Sequence, residues 1–176
     1  MKNTKNFLVI VCVLALVGAT IGVVSKAAEE DQVTATVQIG DISVSVSPKS
    51  FDYGSMPFST TKTSYEVISG GSHNIGATVG AVTTDLDIKA SSTAAWTLSD
   101  SAIGANQYMH KFDLAVDETT DPGGPYTAAS STYAVLETDV ASSTTVWFGL
   151  EIHVPSAGTT TQQSAEVWLL ASWADA

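Results

Sequence analysis

The sequence of 176 residues contains no arginine and a single cysteine, Cys12. Nucleic acids and anionic membrane surfaces are bound by clusters of Lys and Arg, so the composition argues against both as partners. Because Cys12 lies in an N-terminal apolar run, the rest of the chain has no disulfide. A chain of this length can bury enough apolar surface to fold without one.

Positive charge is also scarce, with seven lysines against 18 acidic residues. Three of the lysines, Lys2, Lys5 and Lys26, lie in the N-terminal segment. Acidity on this scale keeps a secreted domain soluble and monodisperse, and it needs no further functional explanation.

The N-terminal segment has the layout of a secretory signal peptide. Lys2 and Lys5 precede an apolar run over residues 7–24, and Ser25-Lys26-Ala27-Ala28 follows it. The pattern predicts a leader of residues 1–27 that is cleaved after Ala27. The run is also long enough to cross a bilayer, so an uncleaved membrane anchor is the alternative. In both cases residues 28–176 form one extracytoplasmic domain.

The longest regular pattern runs from Thr144 to Trp173 and has a period of two, which is typical of half-buried strands. A polar break from Pro155 to Gln163 divides it, and the whole predicts an antiparallel hairpin with a long loop. The residues predicted to face inward are Val146, Phe148, Leu150, Ile152 and Val154, with Ala165, Val167, Leu169, Ala171 and Trp173.

Shorter strand patterns at Ser64–Ser69, Trp96–Leu98 and Gln107–Val116 are separated by Gly- and Pro-rich turns. Seven to nine such strands predict an all-β fold, and a two-sheet antiparallel β-sandwich suits them better than a barrel. The predicted core includes Trp96, Phe112, Phe148 and Leu150.

Several positions together resemble a group of short, largely uncharacterised secreted bacterial immunoglobulin-like sandwich proteins. They are Phe51-Asp-Tyr-Gly54, Trp96-Thr-Leu98, Asn106 to Phe112, and Val154-Pro155 before a Thr/Gln-rich loop. The resemblance covers most of residues 28–176 and implies an immunoglobulin-like fold without implying an activity.

A weaker likeness exists to WxL domains, which attach noncovalently to Gram-positive cell walls. Trp96-Thr-Leu98 and Trp168-Leu-Leu170 match the paired motif of that family by residue type. The chain departs from the family after the second motif, where Ala171-Ser172-Trp173 replaces polar residues and proline.

The stretch Val33–Ile39 alternates apolar and polar residues, and the apolar parity switches at Gly40-Asp41 before Val44. The switch fits a tight hairpin or a bulge at which one strand changes sheets. We favour Val33–Ile39 as the first strand of its own sandwich. The alternative is a donor strand that completes the sheet of a neighbouring subunit in a filament.

No motif in the chain predicts catalysis. His73, His110 and His153 do not stand at metal-ligand spacing, and neither a Gly-x-Ser-x-Gly nor, after the leader, a Ser-x-x-Lys motif occurs. A hydrolase with dispersed catalytic residues is therefore the last of the alternatives.

A cluster of carboxylates beside a Gly/Pro-rich loop offers oxygen ligands of the kind that calcium binds in extracellular domains. The alternative is a solvated acidic loop. The candidate ligands are Asp113, Asp117, Glu118 and Asp121.

The predicted hairpin sets Gly149 opposite Leu170 and brings Trp147 and Trp168 together on its outer face. Two tryptophans and a leucine are unusual on a solvated sheet face. Either another segment covers them, or Trp147, Trp168 and Leu170 form a contact surface for a partner subunit, a wall polymer or a glycan ring.

We therefore expect a secreted or cell-surface structural or interaction module without catalytic activity. A filament subunit and a cell-wall or glycan-binding domain are the alternatives.

Overall fold

The structure is a computed structural model that describes residues 42–174. These residues belong to the second of two compact units into which the chain divides, Met1–Gln38 and Ile39–Ala176. The predicted leader and the predicted strand Val33–Ile39 lie outside the described residues. A search of residues 42–174 for a helix long and apolar enough to cross a membrane finds none.

The described residues are mostly β, as predicted, with one helical turn. The elements in chain order are β1 (Val44–Ser47), β2 (Thr61–Thr63), α1 (Ser64–Val67), β3 (Ile75–Val79), β4 (Thr84–Ala90), β5 (Thr97–Leu98), β6 (Gln107–Ala115), β7 (Thr127–Ala128), β8 (Ala134–Val140), β9 (Thr145–His153) and β10 (Val167–Trp173).

Sheet A contains seven strands in the order β1-β3-β9-β6-β5, with β2 beside β9 and β7 beside β6. Its pairs are antiparallel, except that β5 and β6 run parallel. Strand β9 lies at the centre of the sheet. One of its edges pairs with β6 and the other pairs with β3 and then with β2.

A short gap between β2 and β3 leaves Leu150 without a strand partner on that edge of β9. The buried hydroxyl of Ser64 fills the gap, because the Leu150 N–H donates to Ser64 Oγ at 2.8 Å. Ser64 opens α1, and the Thr63 N–H just before it donates to Glu66 Oε2 at 3.0 Å. Thr63 and Glu66 form a capping box, which starts a helical turn at Ser64. The predicted strand Ser64–Ser69 is therefore wrong.

Sheet B contains three strands in the order β10-β4-β8. Central strand β4 buries every second residue, with Leu86 and Ile88 fully buried, while Asp87 and Lys89 point to the other face. Period-two burial of this kind is what a sheet with one wet face requires.

Buried side chains from both sheets join one hydrophobic core. Phe112, Phe148 and Leu150 of sheet A lie in it, as predicted, together with Leu86 and Ile88 of sheet B. The expectation for Trp96 is only partly met, because Trp96 is half-buried and lies outside this cluster.

The predicted hairpin between β9 and β10 is wrong, because the two strands lie in different sheets. Both edges of β9 are already paired, so β10 crosses to sheet B and pairs with β4 instead. The predicted orientation of each strand survives: Phe148 and Leu150 are buried, and Leu169 packs against the core. Trp173, predicted to face inward, is 56% exposed at the end of β10.

The change of partner separates the three residues of the predicted contact patch. Trp147 lies on the outer face of sheet A, opposite Gly76. Trp168 and Leu170 lie on the outer face of sheet B, opposite Lys89 and Asp87. The single patch that joined them therefore does not form.

Truncation of the most buried β9 side chain tests the orientation of sheet A. Phe148 is 1% exposed, so Phe148→Ala should lower the free energy of unfolding by about 3–5 kcal/mol through lost burial and a residual cavity. Val116→Ala is the control, since Val116 is 83% exposed, and a change within about 0.5 kcal/mol is expected for it in denaturant titrations. A loss for Phe148→Ala below about 1 kcal/mol would place its ring in solvent.

Candidate interaction site

A groove of about 1610 Å³, lined by both apolar and polar residues, opens between β1 of sheet A and β10 of sheet B. Val46 of β1 lies on one side and Val167 and Leu169 of β10 lie on the other. Buried core residues, among them Phe148 and Leu150, also line it. The groove thus extends to the hydrophobic core.

The two strands that flank the groove are sheet edges. Within the described part of the chain, β1 pairs only with β3 and β10 pairs only with β4. Among residues 42–174, the other edge of each of these strands has no strand partner. Unpaired strand edges beside apolar surface are templates for a further strand.

The inward row of β10 is less buried than that of its neighbour β4. Val167, Leu169 and Ala171 are only partly buried, whereas Leu86 and Ile88 are 0% exposed. The difference reflects the position of β10 as an outer strand of sheet B beside the groove, whereas β4 has a neighbouring strand on each side.

The segment after β1 forms another wall of the groove and packs through aromatic rings. Phe51 and Tyr53 meet edge to face with ring centroids 4.9 Å apart. The Tyr53 hydroxyl lies 3.2 Å from His110 Nε2 on β6, and both Tyr53 and His110 line the groove.

His110 is 2% exposed, and its Nδ1 has no hydrogen-bond partner within the described residues. Burial lowers its pKa from 6.5 to about 4, because the charged imidazolium is disfavoured away from water. The imidazole is therefore neutral at neutral pH. Burial also raises the pKa of Tyr53 far above its ordinary value, so its phenol is neutral too. The contact between Tyr53 and His110 in the wall of the groove therefore joins two neutral side chains.

The outer face of sheet A is partly covered by the loop after β6. A Cβ placed on Gly149 would lie 2.8 Å from Pro122 Cγ and 3.2 Å from the Tyr126 hydroxyl, so the loop packs directly on the bare glycine. Gly76 gives room to Trp147 in the same way, since a Cβ there would lie 2.7 Å from Trp147 Cζ3. Trp147 is accordingly half-buried.

A charged cluster on this face was not singled out from the sequence. Glu151 Oε1 lies 3.0 Å from Lys111 Nζ and 3.1 Å from His153 Nε2. The pairing of β6 with β9 sets Lys111 directly opposite Glu151. The outward parity of each residue was predictable, but their pairing depends on the strand order.

The four candidate calcium ligands have different local roles. Asp117 accepts hydrogen bonds from the N–H groups and hydroxyls of Thr119 and Thr120, which hold the pKa of its carboxyl below the ordinary value. Asp121 Oδ1 accepts from the Gly123 N–H at 3.0 Å. Asp113 lies on β6, and the Glu118 carbonyl accepts from the His73 N–H.

In residues 42–174 no three His, Cys, Asp or Glu side chains gather closely enough to hold a metal ion. The Asp117 oxygens are engaged in the turn. Calcium at Asp113, Asp117, Glu118 and Asp121 stays a prediction.

Of the three predicted contact residues, the two on the outer face of sheet B are more exposed than Trp147. Trp168 is 50% exposed and Leu170 is 41% exposed. They flank the charged central strand, opposite Lys89 and Asp87 respectively. Lys89 Nζ in turn lies 4.5 Å from the centre of the Tyr133 ring.

Comparisons of this chain with protein-family models, with curated proteins and with solved structures find no match.

The burial of His110 predicts a pH dependence of stability. Its folded pKa of about 4 is below the ordinary 6.5, so between these values the unfolded chain binds a proton that the folded chain does not. Stability should therefore fall as the pH drops from 6.5 to 4, by on the order of 3 kcal/mol from this group. His110→Gln should remove that part of the loss in urea titrations at pH 7 and pH 4.

His73→Gln controls for the removal of a histidine elsewhere, since His73 is only partly buried. An H110Q variant that keeps the whole pH dependence of the wild type would contradict the burial of a neutral imidazole.

Proposed function

We propose that the protein is an extracytoplasmic, non-enzymatic structural or interaction module with an immunoglobulin-like sandwich, and that the groove between β1 and β10 is its contact surface. The observation that carries the proposal is the groove itself. It exposes apolar core residues such as Leu169 between two strand edges that could each accept another strand.

The size of the groove favours a polymer over a small ligand. Pockets for drug-sized molecules measure roughly 300–1,000 Å³. The groove, at about 1610 Å³, is larger and is bordered by β10, which is seven residues long. An extended polypeptide would fill such a shape and pair its backbone with a flanking edge.

The extracytoplasmic location is supported by the leader-like layout of residues 1–27. The likeness to short secreted bacterial sandwich proteins agrees with this location and with a role that requires no catalysis.

The non-enzymatic part of the proposal is supported by the separate surroundings of the histidines. His110 contacts Tyr53, His73 Nδ1 lies 3.3 Å from the Tyr65 carbonyl oxygen, and His153 contacts Glu151. None of these contacts joins a histidine to a serine, threonine or cysteine that it could activate as a nucleophile.

The second candidate is a wall-polymer or glycan-binding surface on the outer face of sheet B. The exposed indole of Trp168 supports it, because a sugar ring can stack on an aromatic face. The WxL-like motif at Trp168-Leu-Leu170 points to the same face.

Two adjacent leucines on β10 distinguish these candidates. Leu169 lines the groove, and Leu170 points to the outer face of sheet B. Leu169→Glu would place a charge on the apolar wall and should reduce retention or assembly at the cell surface by at least about tenfold. Leu170→Glu should leave retention unchanged. The measurement is the ratio of surface-bound to released protein in cells that export each variant.

The melting temperature of each released variant checks that it is folded. Release of folded L169E with retention of L170E supports the groove. Retention of L169E with release of folded L170E would assign the contact surface to the outer face of sheet B. Retention of both variants would also contradict the groove as the contact surface.

A further inference from the structure

The groove is bordered by two strand edges and lined by apolar and polar residues, and the chain itself contains a segment that alternates between the two. Val33–Ile39 is seven residues long, as is β10. Seven residues in extended conformation span roughly 23 Å at the rise of a β-strand. The segment and the strand edge that it would follow are thus equal in length.

The residue pattern of the segment matches the chemistry of the groove. One row carries Val33, Ala35, Val37 and Ile39, and the other carries Thr34, Thr36 and Gln38. A strand of this kind places an apolar row on the groove wall and a polar row in solvent. The segment contains no charged residue, so its insertion into the groove would remove no charge from water.

The boundary of the compact unit bears on which copy supplies the segment. The unit that contains both sheets begins at Ile39, so Val33 to Gln38 fall outside it. The segment directly precedes β1, and β1 begins at the end of sheet A where Val44 pairs with Val79. Val33 lies eleven residues before Val44, and eleven residues in extended conformation span roughly 36 Å, which is far enough to reach a neighbouring molecule.

On these grounds, and resting on the proposed function, we propose that the groove binds Val33–Ile39 of a second copy of this chain. The contact joins a segment on one copy to a different surface on the next, so it is head-to-tail and leaves one free segment and one free groove at the ends. Unless the rotation between copies closes a ring, the product is a filament.

The test uses exported, full-length mature protein and two variants with complementary defects. Val37→Asp puts a charge on the apolar row and disables the segment, while the groove stays intact. Leu169→Glu disables the groove, while the segment stays intact. Each variant alone should remain monomeric, and an equimolar mixture should form a one-to-one heterodimer that grows no further, as measured by native mass spectrometry.

Thr36→Asp is the matched control, since it places the same charge on the polar row and should assemble as the wild type does. Val167→Thr is a milder groove variant in case L169E does not fold, and it should weaken self-association by at least tenfold at an unchanged melting temperature.

Three results would overturn the proposal. The first is assembly of V37D to the same extent as the wild type in the same assay. The second is the absence of a heterodimer in a mixture of two folded, monomeric variants. The third is a lower melting temperature for V37D with no assembly on mixing. The last result would assign the segment to its own chain. In all three cases, release of folded L169E from cells would still support the groove as the contact surface.

Discussion

The central constraint of the structure is that β9 is paired along both of its edges. Strand β6 occupies one edge, and β3, the Ser64 hydroxyl and β2 together occupy the other. An inward residue of β9 such as Phe148 is buried because its strand has neighbours on both sides. The last strand finds no free edge on β9, and it pairs with β4 in sheet B instead. The groove between β1 and β10 follows from that choice.

Much of the fold could be predicted from the period of two. The all-β class, the strand at β6 and the inward residues of β9 all follow from alternation, which the core enforces because a shift by one residue reverses every side chain. The pairing partners of a strand cannot be predicted from alternation. Alternation fixes which face is apolar but leaves open which edges are free. The hairpin of β9 with β10 was therefore wrong, although the predicted orientation was right for β9 and for β10 up to Ala171.

The remaining errors have local causes. The turn at Ser64 could have been found, because Thr63 and Glu66 have the spacing of a helix N-terminal capping box. The separation of Trp147 from Trp168 could not, since it depends on strand order. The cover over Gly149 depends on the path of the loop that contains Pro122, which no short-range pattern encodes. The groove is likewise invisible to sequence periodicity, because Leu169 has the same inward parity as a fully buried residue.

The central claim is that an extended segment binds in the groove along a strand edge, and hydrogen–deuterium exchange of assembled protein against monomer tests it most directly. Strand β8 is the internal control, because it is the other outer strand of sheet B and lies away from the groove. We expect assembly to slow exchange at backbone amides of β1 or β10, with β8 unchanged. Slower exchange at β8 alone, or unchanged exchange at both β1 and β10, would contradict the account.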